Sequence, residues 1–300
     1  MRTRYIRASV LSALLGLSIP ALHAQAWDAA MQAQSWAKQD KDDSFTFFDP
    51  QARTLYTWTR DGGVMGSVPL TKLEEAPQRW LMDPRNNAWV AHGTTMSLVD
   101  RAGKVLASFK LPAEVGDACW DPKGFVISYR SYEPYVEKRD YKGGLLWSFG
   151  AKPGSRGDGP APLNRRPVVL DDAGNVLMAD GNSLNLSVLE SGTGRKLSET
   201  SLRLPGKQPA PALEGPATER SAVAVWATKG VVFASVKASQ IPEPLRGAIQ
   251  GLALARIDLG QSTVEFLPTG LDESHILVGV LDADAIFVKP TGGLMMVKVK

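Results

Sequence analysis

Short apolar runs alternate along this chain with turn-forming residues, and aspartate recurs in the turns. Asp49-Pro50, Asp83-Pro84, Asp121-Pro122 and the run 171–174 each follow an apolar stretch and precede a run typical of a β-strand. A turn signal that recurs in this way indicates a repeated supersecondary unit. The pattern therefore favours an array of antiparallel hairpins.

The clearest unit covers residues 80–112 and contains four strand-like runs separated by turns. These runs are rich in β-branched and aromatic residues and are bounded by Gly, Asp and Asn, as strands commonly are. The same pattern returns at 118–150, 167–204 and 221–268. Four complete four-stranded units are therefore visible.

The units at the two ends, 45–70 and 276–300, each lack one strand. A circular array has to close, and closure commonly combines strands from both termini in one blade. The sequence thus predicts an all-β fold, a six-bladed β-propeller of four-stranded antiparallel blades, over residues 44–300. The Ala- and Gln-rich segment 27–43 could supply a closing strand or a short helix.

Two of the units also resemble a known family. Residues 83–91 and 171–180 resemble the NHL repeat and the six-bladed propellers related to it. The chain departs from that repeat at Asn182-Ser183-Leu184, where an Asn-Arg-hydrophobic step is usual. The resemblance implies six blades around a central channel and transfers no catalytic residue.

Residues 1–26 predict a secretory signal peptide. Arg2, Arg4 and Arg7 form a charged n-region, residues 8–22 are apolar, and Ala24-Gln25-Ala26 fits a cleavage site. Polar residues and a proline interrupt the apolar run below the roughly 18 to 20 residues that a membrane span needs. We therefore expect a periplasmic or secreted protein with no transmembrane segment after cleavage.

Loss of that segment changes the charge balance. It carries three of the 34 basic residues and none of the 31 acidic ones, which leaves 31 of each sign. A near-neutral chain lacks the basic excess of nucleic-acid-binding proteins, so no nucleic-acid partner is expected. The single cysteine, Cys119, excludes an intrachain disulfide. We expect a monomer stabilised by packing alone.

Long connections suggest where a partner binds. In a propeller blade, the connections from second to third strand and those between blades share one face, which places 151–166, 205–220 and 240–250 together. Loops of this length are often functional, although they can also be tolerated insertions with solvated arginines. Arg and Tyr are enriched in recognition surfaces. The candidate binding residues on this face are Arg130, Tyr132, Tyr135, Arg156, Arg165, Arg166 and Arg246.

These features predict a binding or scaffolding protein for a protein, peptide or glycan. The sequence has no nucleophile elbow or phosphate-binding loop, and His92 and His275 do not lie at metal-ligand spacing. We therefore expect no cofactor, no bound metal and no catalytic residue.

The alternative function is a metal-dependent, lactonase-like hydrolase with its site in the central channel. Such a site gathers acidic ligands from different blades, so spacing along the chain does not reveal it. Most of the candidate ligands occupy turns, where Asp is favoured by hydrogen bonds to its own backbone. The candidates are Asp49, Asp83, Asp121, Asp171 and Asp180.

Overall fold

The structure is a computed structural model, and its described residues form six four-stranded antiparallel sheets with few helical turns. The described residues are 4–6, 38–39, 44–58, 64–83, 85–129, 136–150, 167–179, 184, 186–200, 202–204, 209, 225–228, 230–281, 284–288 and 294–299.

The chain divides into two compact units, of which the first comprises Met1–Leu111 and Ser274–Lys300. It contains three sheets. Sheet 1 consists of β2 (Lys38–Gln39), β3 (Phe45–Asp49), β4 (Thr54–Trp58) and β5 (Val64–Pro69). Sheet 2 consists of β6 (Arg79–Met82), β7 (Ala88–His92), β8 (Thr95–Val99) and β9 (Val105–Lys110). Sheet 6 consists of β22 (Ile276–Leu281), β23 (Asp284–Val288), β24 (Leu294–Lys298) and, beside β24, β1 (Arg4–Ile6).

The second unit, Pro112–Glu273, also contains three sheets. Sheet 3 consists of β10 (Val115–Asp121), β11 (Gly124–Tyr129), β12 (Val136–Arg139) and β13 (Leu145–Phe149). Sheet 4 consists of β14 (Val168–Leu170), β15 (Val176–Ala179), β16 (Leu186–Leu189) and β17 (Lys196–Glu199). Sheet 5 consists of β18 (Val225–Thr228), β19 (Val231–Lys237), β20 (Leu252–Asp258) and β21 (Thr263–Leu271).

The predicted fold class is confirmed. Strands that follow one another within a sheet pair antiparallel, and the complete units seen in the sequence at 80–112, 118–150, 167–204 and 221–268 correspond to sheets 2 to 5. In the two end sheets, the strand that the sequence unit lacks comes from β2 and from β1.

Apolar side chains fill the space between adjacent sheets of a unit. In the first unit, Phe48 and Leu55 of sheet 1 pack with Trp80 and Val90 of sheet 2. In the second unit, one cluster joins sheets 3 and 4, and a larger cluster joins sheets 4 and 5. Inward-facing residues of successive strands supply these layers because side chains alternate between the two faces of a strand.

Candidate functional site

Arg246 is the one predicted site residue within the described ranges; it lies on the connection between β19 and β20. The other six predicted binding residues fall outside the described residues: Arg130, Tyr132, Tyr135, Arg156, Arg165 and Arg166. The described part of the candidate site is therefore the connection formed by residues 237–251.

Backbone hydrogen bonds hold residues 237–251 in an ordered connection between β19 and β20. A 3₁₀ turn, Ala238–Gln240, is followed by one helical turn, α1 (Glu243–Arg246), which begins after Pro242. Ala238 N–H donates to Gly251 O at 2.7 Å, so the two ends of the connection are joined by a backbone hydrogen bond. A further bond from Ile249 N–H to Arg246 O, at 2.8 Å, closes the segment after α1.

One side of this connection is buried against the core of the second unit. Ile241 is completely buried, and Ala238 and Gln240 are 5% and 3% exposed. Leu245 and Ile249 pack against the same cluster between sheets 4 and 5. The connection is thus fixed by burial of its apolar side chains, which is worth about 1.5 to 3 kcal/mol for each large residue.

Gly251 is required where the connection returns to β20. Its φ is +65°, and a Cβ at this position would lie 2.2 Å from Leu271 O. The backbone of β20 can therefore approach the end of β21 only because residue 251 has no side chain.

The side of the connection that faces away from the core is polar and carries charges of both signs. Arg246 contacts Glu243, one helical turn earlier. Lys237 Nζ lies 3.5 Å from Glu273 Oε2, and Ser239 Oγ lies 3.4 Å from Glu273 Oε1. We call residues 237–251 with 272–273 the β19–β20 platform. Both of its cations, Lys237 and Arg246, have a carboxylate within reach.

Side-chain hydrogen bonds join β11 and β12 of sheet 3, the two strands that flank the connection 130–135. Glu137 Oε2 accepts hydrogen bonds from Tyr129 OH at 2.7 Å and from Arg139 Nε at 2.8 Å. Tyr129 and Glu137 are only 1% and 5% exposed. Burial first, then the hydrogen bond to the Glu137 carboxylate, raises the pKa of Tyr129. This pair was not predicted from the sequence because Glu137 begins the run of three charged residues in β12, which is typical of exposed positions.

Pro209 is the one described residue of the connection 205–220, which was predicted to share a face with 240–250. Arg203 N–H donates to Ser262 O and Val264 N–H donates to Arg203 O, both at 2.9 Å. Pro209 pairs in turn with Arg203. These contacts lie where β21 begins, whereas the β19–β20 platform lies where β21 ends. For Pro209, the prediction of a face shared with 240–250 is therefore wrong, because its partner Arg203 pairs with the start of β21, at the opposite end of sheet 5.

Solved structures of known proteins share the architecture of this chain. No family model and no curated protein matches the chain. Among solved structures, the chain is similar to a catalytically inactive virginiamycin B lyase from Staphylococcus aureus with quinupristin (13% identity, 88% of this chain and 80% of that chain, TM-score 0.54). It is also similar to the Pan2 WD40 domain of Neurospora crassa (10% identity, 85% and 72% of the two chains, TM-score 0.53).

The chain is a six-bladed β-propeller. A chain of the mitotic checkpoint complex is similar to it over 89% of its length and 91% of the other chain, with 8% identity and a TM-score of 0.54. The propeller thus shares its fold with both a lyase and a chain of the mitotic checkpoint complex, and its own residues have to indicate its function. Among the residues that the structure describes, no helix has the length and apolar character needed to cross a membrane.

Four of the five acidic residues proposed as metal ligands accept backbone hydrogen bonds in turns of the propeller. Asp83 Oδ1 accepts the N–H groups of Arg85 and Asn87 at 2.8 Å, and Asp171 Oδ1 accepts that of Asn175 at 2.7 Å. Asp49 and Asp121 accept similar bonds from the residues that follow them. Asp180 lies outside the described residues. Within the described ranges, no group of three or more His, Cys, Asp or Glu side chains is placed to hold a metal ion.

His92 and His275 have different surroundings. His275 is buried, whereas His92 is half-buried and its Nε2 lies 2.9 Å from Ser97 Oγ. Ser97 Oγ lies in turn 2.8 Å from Ser108 Oγ. Burial lowers the pKa of His92, against the opposing effect of Glu75. This hydrogen-bonded row links three adjacent strands of sheet 2.

Proposed function

We propose that this propeller is a binding or scaffolding module that recognises its partner through the β19–β20 platform. The observation that carries the proposal is that Ile241, Ala238 and Gln240 anchor the platform in the core. An insertion that is merely tolerated has no need of such anchoring. Recognition residues are instead typically presented by loops on a rigid scaffold.

The charges of the platform favour a protein or peptide over the third predicted class, a glycan. Lys237 and Arg246 are both accompanied by carboxylates, Glu273 and Glu243. A surface with charges of both signs is complementary to another surface of mixed charge, as protein partners provide. An anionic glycan would instead have to displace both carboxylates.

The six predicted binding residues outside the described ranges remain part of this proposal. The buried contact between Tyr129 and Glu137 supports it, since it fixes the strands that flank 130–135. The proposal also includes export to the periplasm or beyond, which depends on the signal predicted for residues 1–26.

The test compares two charge pairs of equal spacing. Glu243→Ala with Arg246→Ala removes the pair on the platform, whereas Lys196→Ala with Glu199→Ala removes an i,i+3 pair from β17. Partners captured from the native envelope are identified and purified, and their affinity is then measured by calorimetry. We expect the platform variant to bind at least about tenfold more weakly and the β17 variant to bind as the parent does. Equal affinity of both variants would remove the platform from consideration.

A further inference from the structure

The two edges of β24 pair with very different strands. On one side, β24 pairs along its whole length with β23. On the other side it pairs with Arg4–Ile6, in the antiparallel register Arg4↔Met296, Tyr5↔Met295 and Ile6↔Leu294. This outer pairing covers three of the five residues of β24.

The strand at this outer edge comes from the part of the chain that is predicted to be removed. Arg4–Ile6 lies within the charged n-region of the predicted signal, residues 1–26. Removal of that signal leaves sheet 6 with β22, β23 and β24. The outer backbone N–H and C=O groups of β24 then lose their partners, and an open edge of this kind readily accepts another strand.

The edge can hold a longer strand than the one it has. The outermost strands of sheets 1 to 5 contain six, six, five, four and nine residues. Arg4–Ile6 contains three. Val297 and Lys298 at the end of β24 have no partner in Arg4–Ile6. An extended segment of five residues could therefore pair along the whole of β24.

The side chains of β24 distinguish its two faces. Met295 and Val297 are buried, Met296 is half-buried and Lys298 is exposed. An added strand would extend the same alternation, with apolar residues on the face of Met295 and Val297.

We propose that the outer edge of β24 is a strand-acceptor site, which binds an extended peptide segment of a partner protein once residues 1–26 have been removed. The segment lies antiparallel to β24, in the register that Arg4–Ile6 shows. Backbone hydrogen bonds supply the affinity, and alternate side chains supply the selectivity. The site depends on the predicted signal and is separate from the β19–β20 platform, so either proposal can fail without the other.

The test uses the processed chain, residues 27–300, and a synthetic peptide of residues 1–8 as the probe. Amide hydrogen exchange is measured along β24 by NMR, with the uncleaved chain as the protected reference. We expect the outward amides of β24 to exchange rapidly in the processed chain. Saturating peptide should slow them by about tenfold, the change expected from one or two backbone hydrogen bonds. A peptide carrying Tyr5→Pro is the matched control and should have no effect, since proline cannot pair at the centre of the strand.

Two results would overturn the proposal. One is that the outward amides of the processed chain are already protected, which would mean that the chain itself or a second copy fills the edge; sedimentation would distinguish these occupants. The other is that these amides exchange rapidly and the peptide leaves them unchanged.

Discussion

Lys138 Nζ lies 2.8 Å from Asp121 Oδ1, and both side chains are almost fully buried. Lys138 also donates to Ser191 O and contacts Ser191 Oγ, both at 2.8 Å. Ser191 Oγ donates to Asp121 Oδ2 at 2.5 Å, so the three residues form a closed network. Because Ser191 belongs to the turn between β16 and β17, this network joins sheet 3 to sheet 4.

Breaking this network should destabilise the propeller strongly. Lys138→Met leaves the Asp121 carboxylate buried without its cation, and we expect the free energy of unfolding to fall by about 3 kcal/mol. Lys142→Met, at an exposed position of the same sheet, is the control and should change it by less than about 0.5 kcal/mol. Denaturant titration measures both. A loss no larger than that of the control would show that the ion pair contributes nothing.

The same network predicts how stability depends on pH. Burial opposes the ionisation of Asp121, but hydrogen bonds from Lys138, Ser191 and the Lys123 N–H together outweigh it and lower its pKa. A carboxyl whose pKa is lower in the folded state stabilises the fold above its unfolded value of about 3.9. This contribution is lost as the pH falls through the folded value. The stability difference between the parent and Asp121→Asn should therefore be constant above about pH 5 and should shrink below about pH 4.

Gly194 shows how closely the two sheets approach. Its φ is +72°, and a Cβ would lie 2.6 Å from the Trp147 ring, whose Nε1 donates to Ser191 O at 2.8 Å. We expect Gly194→Ala to cost about 3 kcal/mol, since a strained φ and an overpacked contact add.

Two other glycines separate these two causes. Gly174 has a φ of +80° but open space around it, so Gly174→Ala should cost about 1 to 2 kcal/mol. Gly192 also has open space and has no positive φ, so Gly192→Ala should be near neutral. Thermal and denaturant unfolding of the three variants would measure this order, and equal losses would contradict it.

Tyr129→Phe should loosen the base of the connection 130–135. The variant removes the hydroxyl that donates to Glu137 and keeps the ring, so we expect a loss of about 1.5 kcal/mol. If 130–135 takes part in recognition, partner affinity should fall as well, although residue 129 itself is buried. Phe125→Leu is a control for packing in the same strand and should lower stability without selectively lowering affinity.

Chelation should leave the protein unaffected if it is a binding module. We expect the melting temperature to change by less than about 1 °C with EDTA or with added calcium, because no ligand then binds only the folded state. A clear rise with calcium would favour the hydrolase alternative. Differential scanning calorimetry on the same sample makes this comparison.

The architecture could be predicted from the sequence because its signals are local. Asp83 and Asp171 mark turns that their own side chains stabilise, and apolar alternation marks the strands between them. The pairing of Lys138 with Ser191 could not be predicted in this way. The two residues are 53 positions apart, and a charged strand such as Val136–Arg139 looks solvent-exposed in the sequence although Lys138 is 2% exposed.

The candidate site was predicted only in part, for a similar reason. The length of the loop indicated Arg246, but the anchoring of Ile241 and the close approach of Gly251 to Leu271 depend on the packed sheet. Pro209 pairs with Arg203, which itself pairs with Thr263 in a distant part of the chain, and no local pattern encodes that second pairing.

Cys119, the only cysteine of the chain, lies 7% exposed in the apolar layer between sheets 3 and 4. A thiol reagent can reach its sulfur only when that layer parts, so labelling kinetics follow the transient separation of these two blades. The native protein thus contains its own reporter of blade separation, and no engineered label is required.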